Sequence, residues 1–199
     1  MFGVCVNLIL ITNSLIGLRN CVMRQLALLN DSRHDGFEPW QVLQSVTGTT
    51  DEGDVRFTPE EMAVFVSADH IDFAMDALLL AQRHASTIAT FREYCERRKE
   101  MGGLMPPPVA VDGVVASGEM TTEEFRALLP RMIQLNSIVK QLVPGFAQDI
   151  ALGRGVVERF GSISKALFPG QRTQAITFPS DETLAEKIAP KEPNAVRSC

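Results

Sequence analysis

Hydrophobic and polar positions divide the chain into an apolar beginning, a helical middle and a polar end. The first 18 residues carry no charged side chain, and ten of them are Leu, Ile, Val or Phe. In two later segments apolar residues recur every three or four positions, which is the period of an amphipathic α-helix. The pattern predicts an all-α protein, a helical bundle of about four to five helices. Its first helix is hydrophobic and its C-terminal tail is polar.

Local signals locate two helix starts. In Thr58-Pro59-Glu60-Glu61 and in Thr121-Thr122-Glu123-Glu124, a threonine stands three residues before a glutamate, which is the arrangement of a capping box. Proline is also favoured at the first helical position. We therefore expect a helix from Pro59, a break near Ser67, and a long helix from about Ala68 to Met101.

The long helix predicted from Ala68 has two adjacent apolar lines. A helix that is apolar over so wide an arc usually contacts two or more neighbours, so we expect it to be the central helix. The first line is Ile71, Met75, Leu78, Ala85 and Ala89, and the second is Ala77, Leu80, Ala81, Ile88 and Phe91.

The helical segment that begins after Thr121 carries a single apolar line at three-and-four spacing, typical of a bundle or coiled-coil contact. We expect Pro130 and Pro144 to kink or restart this helix. Gly153 and Gly155 are expected to bend the chain into a last helix over 156–168. The apolar line consists of Phe125, Leu128, Met132, Leu135, Val139, Leu142, Phe146 and Ile150.

These patterns predict four regions. Residues 1–29 form a hydrophobic helix, 30–57 a long polar loop with a possible short helix, and 58–168 the helical body. Within the body, the proline-rich stretch 104–118 is expected to be an extended connector. Residues 169–199 form a polar tail that we expect to be flexible.

The N-terminal helix has two interpretations. An uncharged stretch of about 18 residues reaches the lower limit for a transmembrane span. Because Arg19 and Arg24 follow it, the positive-inside rule predicts a single-pass anchor with the N-terminus outside and the body in the cytoplasm. The alternative is a cytoplasmic protein in which this helix is buried in the bundle.

Small and polar residues fall at three-and-four spacing along this helix and form one line, which we call the interaction seam. In a membrane, such residues let two helices approach closely and hydrogen-bond across the contact. The seam therefore predicts self-association or a protein partner, although packing against the protein's own bundle would use it equally well. The interaction seam is Gly3, Asn7, Ser14, Gly17 and Cys21.

Charge, cysteines and motifs exclude several classes of function. A net charge of −5 gives no basic surface for nucleic acid, so no nucleic-acid partner is expected. The four cysteines, Cys5, Cys21, Cys95 and Cys199, have no zinc-site spacing and are expected to be reduced thiols. The sequence contains no P-loop, dinucleotide, G-x-S-x-G or H-E-x-x-H motif. It therefore identifies no catalytic residue, no cofactor and no small-molecule ligand.

One metal-binding hypothesis can be formulated from the residues. Asp72 and Asp76 share a helix face and could ligate a cation through oxygen, with Asp69 and His84 as further candidates. Acidic residues are, however, common in the first turn of any helix because they complement the helix dipole. A helical enzyme with carboxylate metal ligands is accordingly the third functional hypothesis.

The leading hypothesis is a membrane-anchored helical bundle that acts through protein–protein contact. The second is a soluble helical binding module or oligomeric scaffold with its N-terminal helix in the core.

Overall fold

The computed structural model describes residues 2–45, 55–105, 109–111, 114–116, 120–169 and 178, and confirms the all-α bundle. Residues 46–54 of the predicted loop 30–57 and most of the tail 169–199 lie outside these residues. Short 3₁₀ turns over Ala27–Asn30 and Ser32–His34 follow the first helix. The helices are α1 (Phe2–Leu26), α2 (Pro39–Val42), α3 (Pro59–Ser67), α4 (Ile71–Leu104) and α5 (Thr122–Leu167).

A two-stranded hairpin connects α4 to α5, inside the stretch for which an extended connector is expected. Strand β1 (Val109–Val111) pairs antiparallel with β2 (Val114–Ala116), so that Val109 lies opposite Ala116. Paired strands therefore lie between α4 and α5, the two longest helices.

Both predicted helix starts are confirmed as complete capping boxes. The Thr58 hydroxyl accepts a hydrogen bond from the Glu61 amide at 3.2 Å, and the Glu61 carboxylate accepts one from the Thr58 amide at 3.0 Å. Thr121 and Glu124 make the same reciprocal pair at 3.2 and 2.8 Å. The hydrogen bonds from Thr121 lower the pKa of Glu124, because they stabilise its charged form.

The predicted break near Ser67 is a Schellman turn closed by an aspartate. The Asp69 amide donates to the Val66 carbonyl at 3.2 Å, and the His70 amide donates to the Phe65 carbonyl at 2.8 Å. This pair of hydrogen bonds requires a residue in the left-handed backbone conformation at the turn, a position usually taken by glycine. Asp69 occupies it with φ 62°.

Helix α5 is continuous from Thr122 to Leu167 with Pro130 and Pro144 inside it, so neither proline restarts the helix. Both prolines are solvent-exposed, so each ring and each missing amide hydrogen bond lie on the side of the helix away from its packing partners. Nor do Gly153 and Gly155 begin a new helix. The contacts of the packing face stabilise one continuous helix at positions where the local sequence favours a break.

Helices α4 and α5 form an antiparallel pair, and α1 packs against both. Asp76 of α4 contacts Arg159 of α5, whereas Arg83, further along α4, contacts Asp149, earlier in α5. Of the apolar line predicted on α5, Met132 is half-buried and Phe125 is 47% exposed. The other six residues of that line are buried: Leu128, Leu135, Val139, Leu142, Phe146 and Ile150.

Candidate functional site

One face of α1 is completely enclosed by the protein. Its heptad-spaced apolar residues touch the core cluster and leave no solvent-accessible area. Each such side chain stabilises the fold by about 1.5–3 kcal/mol relative to exposure. The residues with zero exposure on this face are Val4, Leu8, Ile11, Leu15 and Val22.

The close fit of α1 against α5 depends on a glycine. A Cβ atom built on Gly153 would lie 2.8 Å from Thr12 Oγ1 and 3.2 Å from Thr12 Cγ2. Thr12 is fully buried and its hydroxyl donates to the Leu8 carbonyl at 2.8 Å. The two helix backbones therefore approach at a point where a side chain on α5 does not fit.

Three residues of the interaction seam meet the protein's own body. The Asn7 side-chain amide donates to the Arg56 carbonyl at 3.1 Å, and Ser14 Oγ lies 3.0 Å from His84 Nε2. A Cβ atom on Gly3 would lie 2.6 Å from a carboxylate oxygen of Glu61. These contacts connect α1 to α4 and to the segment that begins α3.

Of the other two seam residues, Cys21 is half-buried and Gly17 is exposed. Cys21 Sγ accepts a hydrogen bond from Gln25, one turn along α1, at 3.7 Å. Gly17 is exposed, and no atom lies within 4 Å of a Cβ atom built on it.

The N-terminal segment Phe2–Asn30 is long and apolar enough to span a membrane, and its most apolar stretch of 18 residues has a mean hydropathy of 1.6. The core helix of a soluble protein and a signal sequence pass the same test. Within the most apolar part of the segment 39% of the residues are buried. The outward side of α1 still carries large apolar side chains, with Phe2 85% and Leu10 46% exposed.

A buried carboxylate joins α4 to α5. Asp149 is 6% exposed and accepts hydrogen bonds from Arg83 Nη1 at 3.2 Å and from the Thr87 hydroxyl at 3.0 Å. A buried carboxylate is tolerated only when charge and hydrogen bonds replace its hydration. The sequence pattern did not indicate this group, because its partners lie more than 60 positions away in the chain.

The short helix α2 is fixed to α4 and α5 by polar contacts. The hydroxyl of the fully buried Tyr94 donates to the Leu43 carbonyl at 2.6 Å, and burial raises the pKa of Tyr94. The Arg98 guanidinium lies 5.3 Å from the centre of the Trp40 ring, within cation–π range. Asn136 of α5 accepts from the Trp40 amide at 3.2 Å. These contacts are structural and leave the Tyr94 hydroxyl inaccessible.

The predicted metal ligands do not converge. In the described part of the chain, no group of three or more His, Cys, Asp or Glu side chains could hold a metal ion. Asp76 accepts a hydrogen bond from Arg159 at 2.5 Å, and His84 faces Ser14 inside the bundle. Asp69 and Asp72 are exposed, at the turn and in the first turn of α4.

The two apolar lines predicted on α4 differ in burial. On the second line Ala77, Leu80 and Phe91 are buried, as expected of a central helix. Helix α4 contacts α1, α3 and α5, as expected of a central helix, but its first line faces solvent. Its large residues Ile71, Met75 and Leu78 are 51%, 61% and 43% exposed.

Comparison with known proteins adds no functional assignment: no protein family, characterised protein or solved structure matches this chain.

Proposed function

We propose that this protein acts through protein–protein contact, as a helical binding or scaffold module whose N-terminal helix belongs to its core. The observation that carries the proposal is the complete burial of one face of α1, from Val4 to Val22. The fit of Thr12 against Gly153 and the pairing of Ser14 with His84 also support it. A helix that only tethers a body to a membrane needs none of these contacts.

The energetics of α1 lead to a direct test. Five fully buried aliphatic residues contribute roughly 10 kcal/mol, which is comparable with the whole stability of a typical domain. Under this proposal, a variant lacking residues 1–29 loses its cooperative unfolding transition and aggregates.

The experiment compares the full chain with that truncated variant by membrane fractionation, an alkaline carbonate wash and circular dichroism. We expect the full chain in the soluble fraction and the truncated chain unfolded. If the full chain stays in the washed membrane while the truncated chain is soluble, helical and cooperative, the proposal is overturned.

A second candidate is the single-pass membrane anchor with a cytoplasmic body. It is favoured by the hydropathy of Phe2–Asn30 and by the exposure of Phe2 and Leu10 on the outward side of α1. Arg19 and Arg24 after the apolar stretch would set the N-terminus outside. A full chain that stays in the washed membrane, together with a truncated chain that is soluble and folded, supports this candidate. Protease protection of the N-terminus then tests its orientation.

A further inference from the structure

The exposed first line of α4 has the spacing of a helix-pairing surface. Its positions alternate steps of four and three residues over about five turns, which is a heptad pattern. They carry no formal charge, although α4 as a whole is rich in charged residues. We call this surface the α4 apolar face, and it consists of Ile71, Met75, Leu78, Gln82, Ala85 and Ala89.

We propose that the α4 apolar face binds a second copy of this chain, with the two α4 helices antiparallel and the two-fold axis at the level of Leu80, whose own side chain is buried on the opposite side of α4. This proposal rests on the proposed function, since it names the partner with which the module makes contact. The occupant follows from the distribution of side-chain size along the face.

Large and small residues occupy opposite halves of the α4 apolar face. The N-terminal half presents Ile71, Met75 and Leu78, and the C-terminal half presents Ala85 and Ala89. With the axis at the level of Leu80, two residues lie opposite each other when their residue numbers add up to about 160. Large side chains of one copy therefore meet small ones of the other.

The individual pairs agree with known helix-pairing geometry. Ile71 lies opposite Ala89 of the second copy and Met75 opposite Ala85, so each large side chain inserts where the facing helix has only a methyl group. Leu78 lies opposite Gln82, whose amide can reach water at the edge of the contact. Leu79, which is 38% exposed, flanks the contact at one side of the face.

A parallel arrangement would not use this size pattern. It would place Met75 against Met75 and Ala89 against Ala89, which crowds one end and leaves a gap at the other. Overpacking and cavities both destabilise a contact. The uneven face is thus complementary to itself only when the second helix is reversed.

The size of the α4 apolar face sets the expected strength. From Ile71 to Ala89 it is about 27 Å long, and it is about one helix diameter wide. That is smaller than the roughly 800 Å² per partner of a standard stable interface. We therefore expect a reversible dimer with a dissociation constant in the micromolar range.

The test is sedimentation equilibrium of the full chain over a concentration series that spans the micromolar range. We expect a monomer–dimer equilibrium that Met75→Arg weakens at least about tenfold, because a charge at the contact would be desolvated in both copies. Ile133→Arg is the matched control, since Ile133 is similarly exposed at 56% but lies on α5. Both variants should keep the unfolding midpoint of the parent chain.

Cysteine substitutions test the orientation. In the antiparallel pair, position 75 of one copy faces position 85 of the other, so a chain carrying both Met75→Cys and Ala85→Cys should form disulfides between copies on mild oxidation. Positions 75 of the two copies are separated by about ten residues along the helices, roughly 15 Å, so Met75→Cys alone should not. The unsubstituted chain, oxidised in parallel, controls for the native cysteines.

Each contrary outcome has a distinct meaning. A folded monomer at every concentration, or a dimer weakened by Ile133→Arg and not by Met75→Arg, overturns the α4 pairing and leaves the proposed function standing. Cross-linking by Met75→Cys alone as readily as by the double substitution overturns the antiparallel arrangement. If fractionation places the chain in membranes, the proposed function fails, and the cysteine experiment performed in those membranes still tests α4.

Discussion

Gly153 of α5 approaches Thr12 of α1 so closely that a Cβ atom on the glycine would lie 2.8 Å from Thr12 Oγ1. Glycine within a helix normally lowers stability by about 1 kcal/mol relative to alanine. At this position the missing side chain has a compensating role, because it allows α1 to seat in the bundle. The same contact makes α1 the first place to probe experimentally.

Gly153→Ala should destabilise the fold by about 1–2 kcal/mol, because overpacking outweighs the gain in helix propensity. Gly155→Ala is the matched control: no atom lies within 4 Å of a Cβ atom there, so it should stabilise the fold slightly. Urea unfolding measures both changes. Adding Thr12→Ala to Gly153→Ala should recover part of the loss, and strictly additive effects would contradict the contact.

Asp149→Ala should lower the free energy of unfolding by about 1–3 kcal/mol, since it removes the partner of Arg83 and Thr87 inside the α4–α5 contact. Asp76→Ala removes an ion pair with Arg159 in which both side chains are more than a third exposed, so its effect should stay within about 0.5 kcal/mol. Chemical denaturation of both variants provides the comparison. Equal losses at the two positions would show that the buried carboxylate has no special role.

The raised pKa of Tyr94 predicts a loss of stability in alkaline solution. Its neutral form is favoured in the folded state by burial, so this contribution is fully present below the unfolded pKa of about 10. The contribution decreases as the pH rises above that value, because the unfolded chain releases the proton more readily.

Tyr94→Phe should remove this alkaline dependence and, by leaving the Leu43 carbonyl without its donor, lower stability at neutral pH by about 1–2 kcal/mol. Tyr94 is the only tyrosine in the chain, so ultraviolet absorbance of the phenolate follows its titration directly. A phenolate that forms at the ordinary pKa while the protein stays folded would contradict the buried position.

Asp69→Gly should stabilise the fold by about 0.5–1 kcal/mol, because glycine adopts a φ of 62° without the steric penalty of a side chain. Asp69→Ala keeps the penalty and loses the polar side chain that makes the left-handed conformation accessible, so it should destabilise. Thermal unfolding ranks the three proteins. An alanine variant as stable as the glycine variant would disprove the left-handed turn.

The features that sequence reasoning predicted well are those determined within a few residues. The capping boxes at Thr58 and Thr121 and the end of α3 near Ser67 depend on hydrogen bonds between neighbours in the chain. The continuity of α5 through Pro144 could not be predicted, because contacts with other helices outweigh the local preference. The partners of Asp149 and Tyr94 could not be predicted either, because they lie far away in the chain and are brought together only by the packing of the helices.

The interaction seam and the α4 apolar face show a different limit. Both patterns have the spacing of a helix contact, but spacing alone does not identify the partner. Asn7 and Ser14 of the interaction seam meet this chain's own body. Ile71 and Met75 of the α4 apolar face remain exposed.

The seating of Thr12 against Gly153 also has a consequence for the order of events on the ribosome. Its two partners are separated by about 140 residues, so at roughly 5–20 residues per second α1 emerges roughly 7–28 s before the helix that covers it. During that interval the nascent chain displays its long apolar N-terminal helix without the partner that α5 provides. We expect ribosome-stalled chains that end before Gly153 to recruit chaperones or targeting factors, which crosslinking can detect. Equal recruitment to stalled chains that already include all of α5 would refute this expectation. Helix α1 is thus synthesised first and buried last, once α5 completes the core.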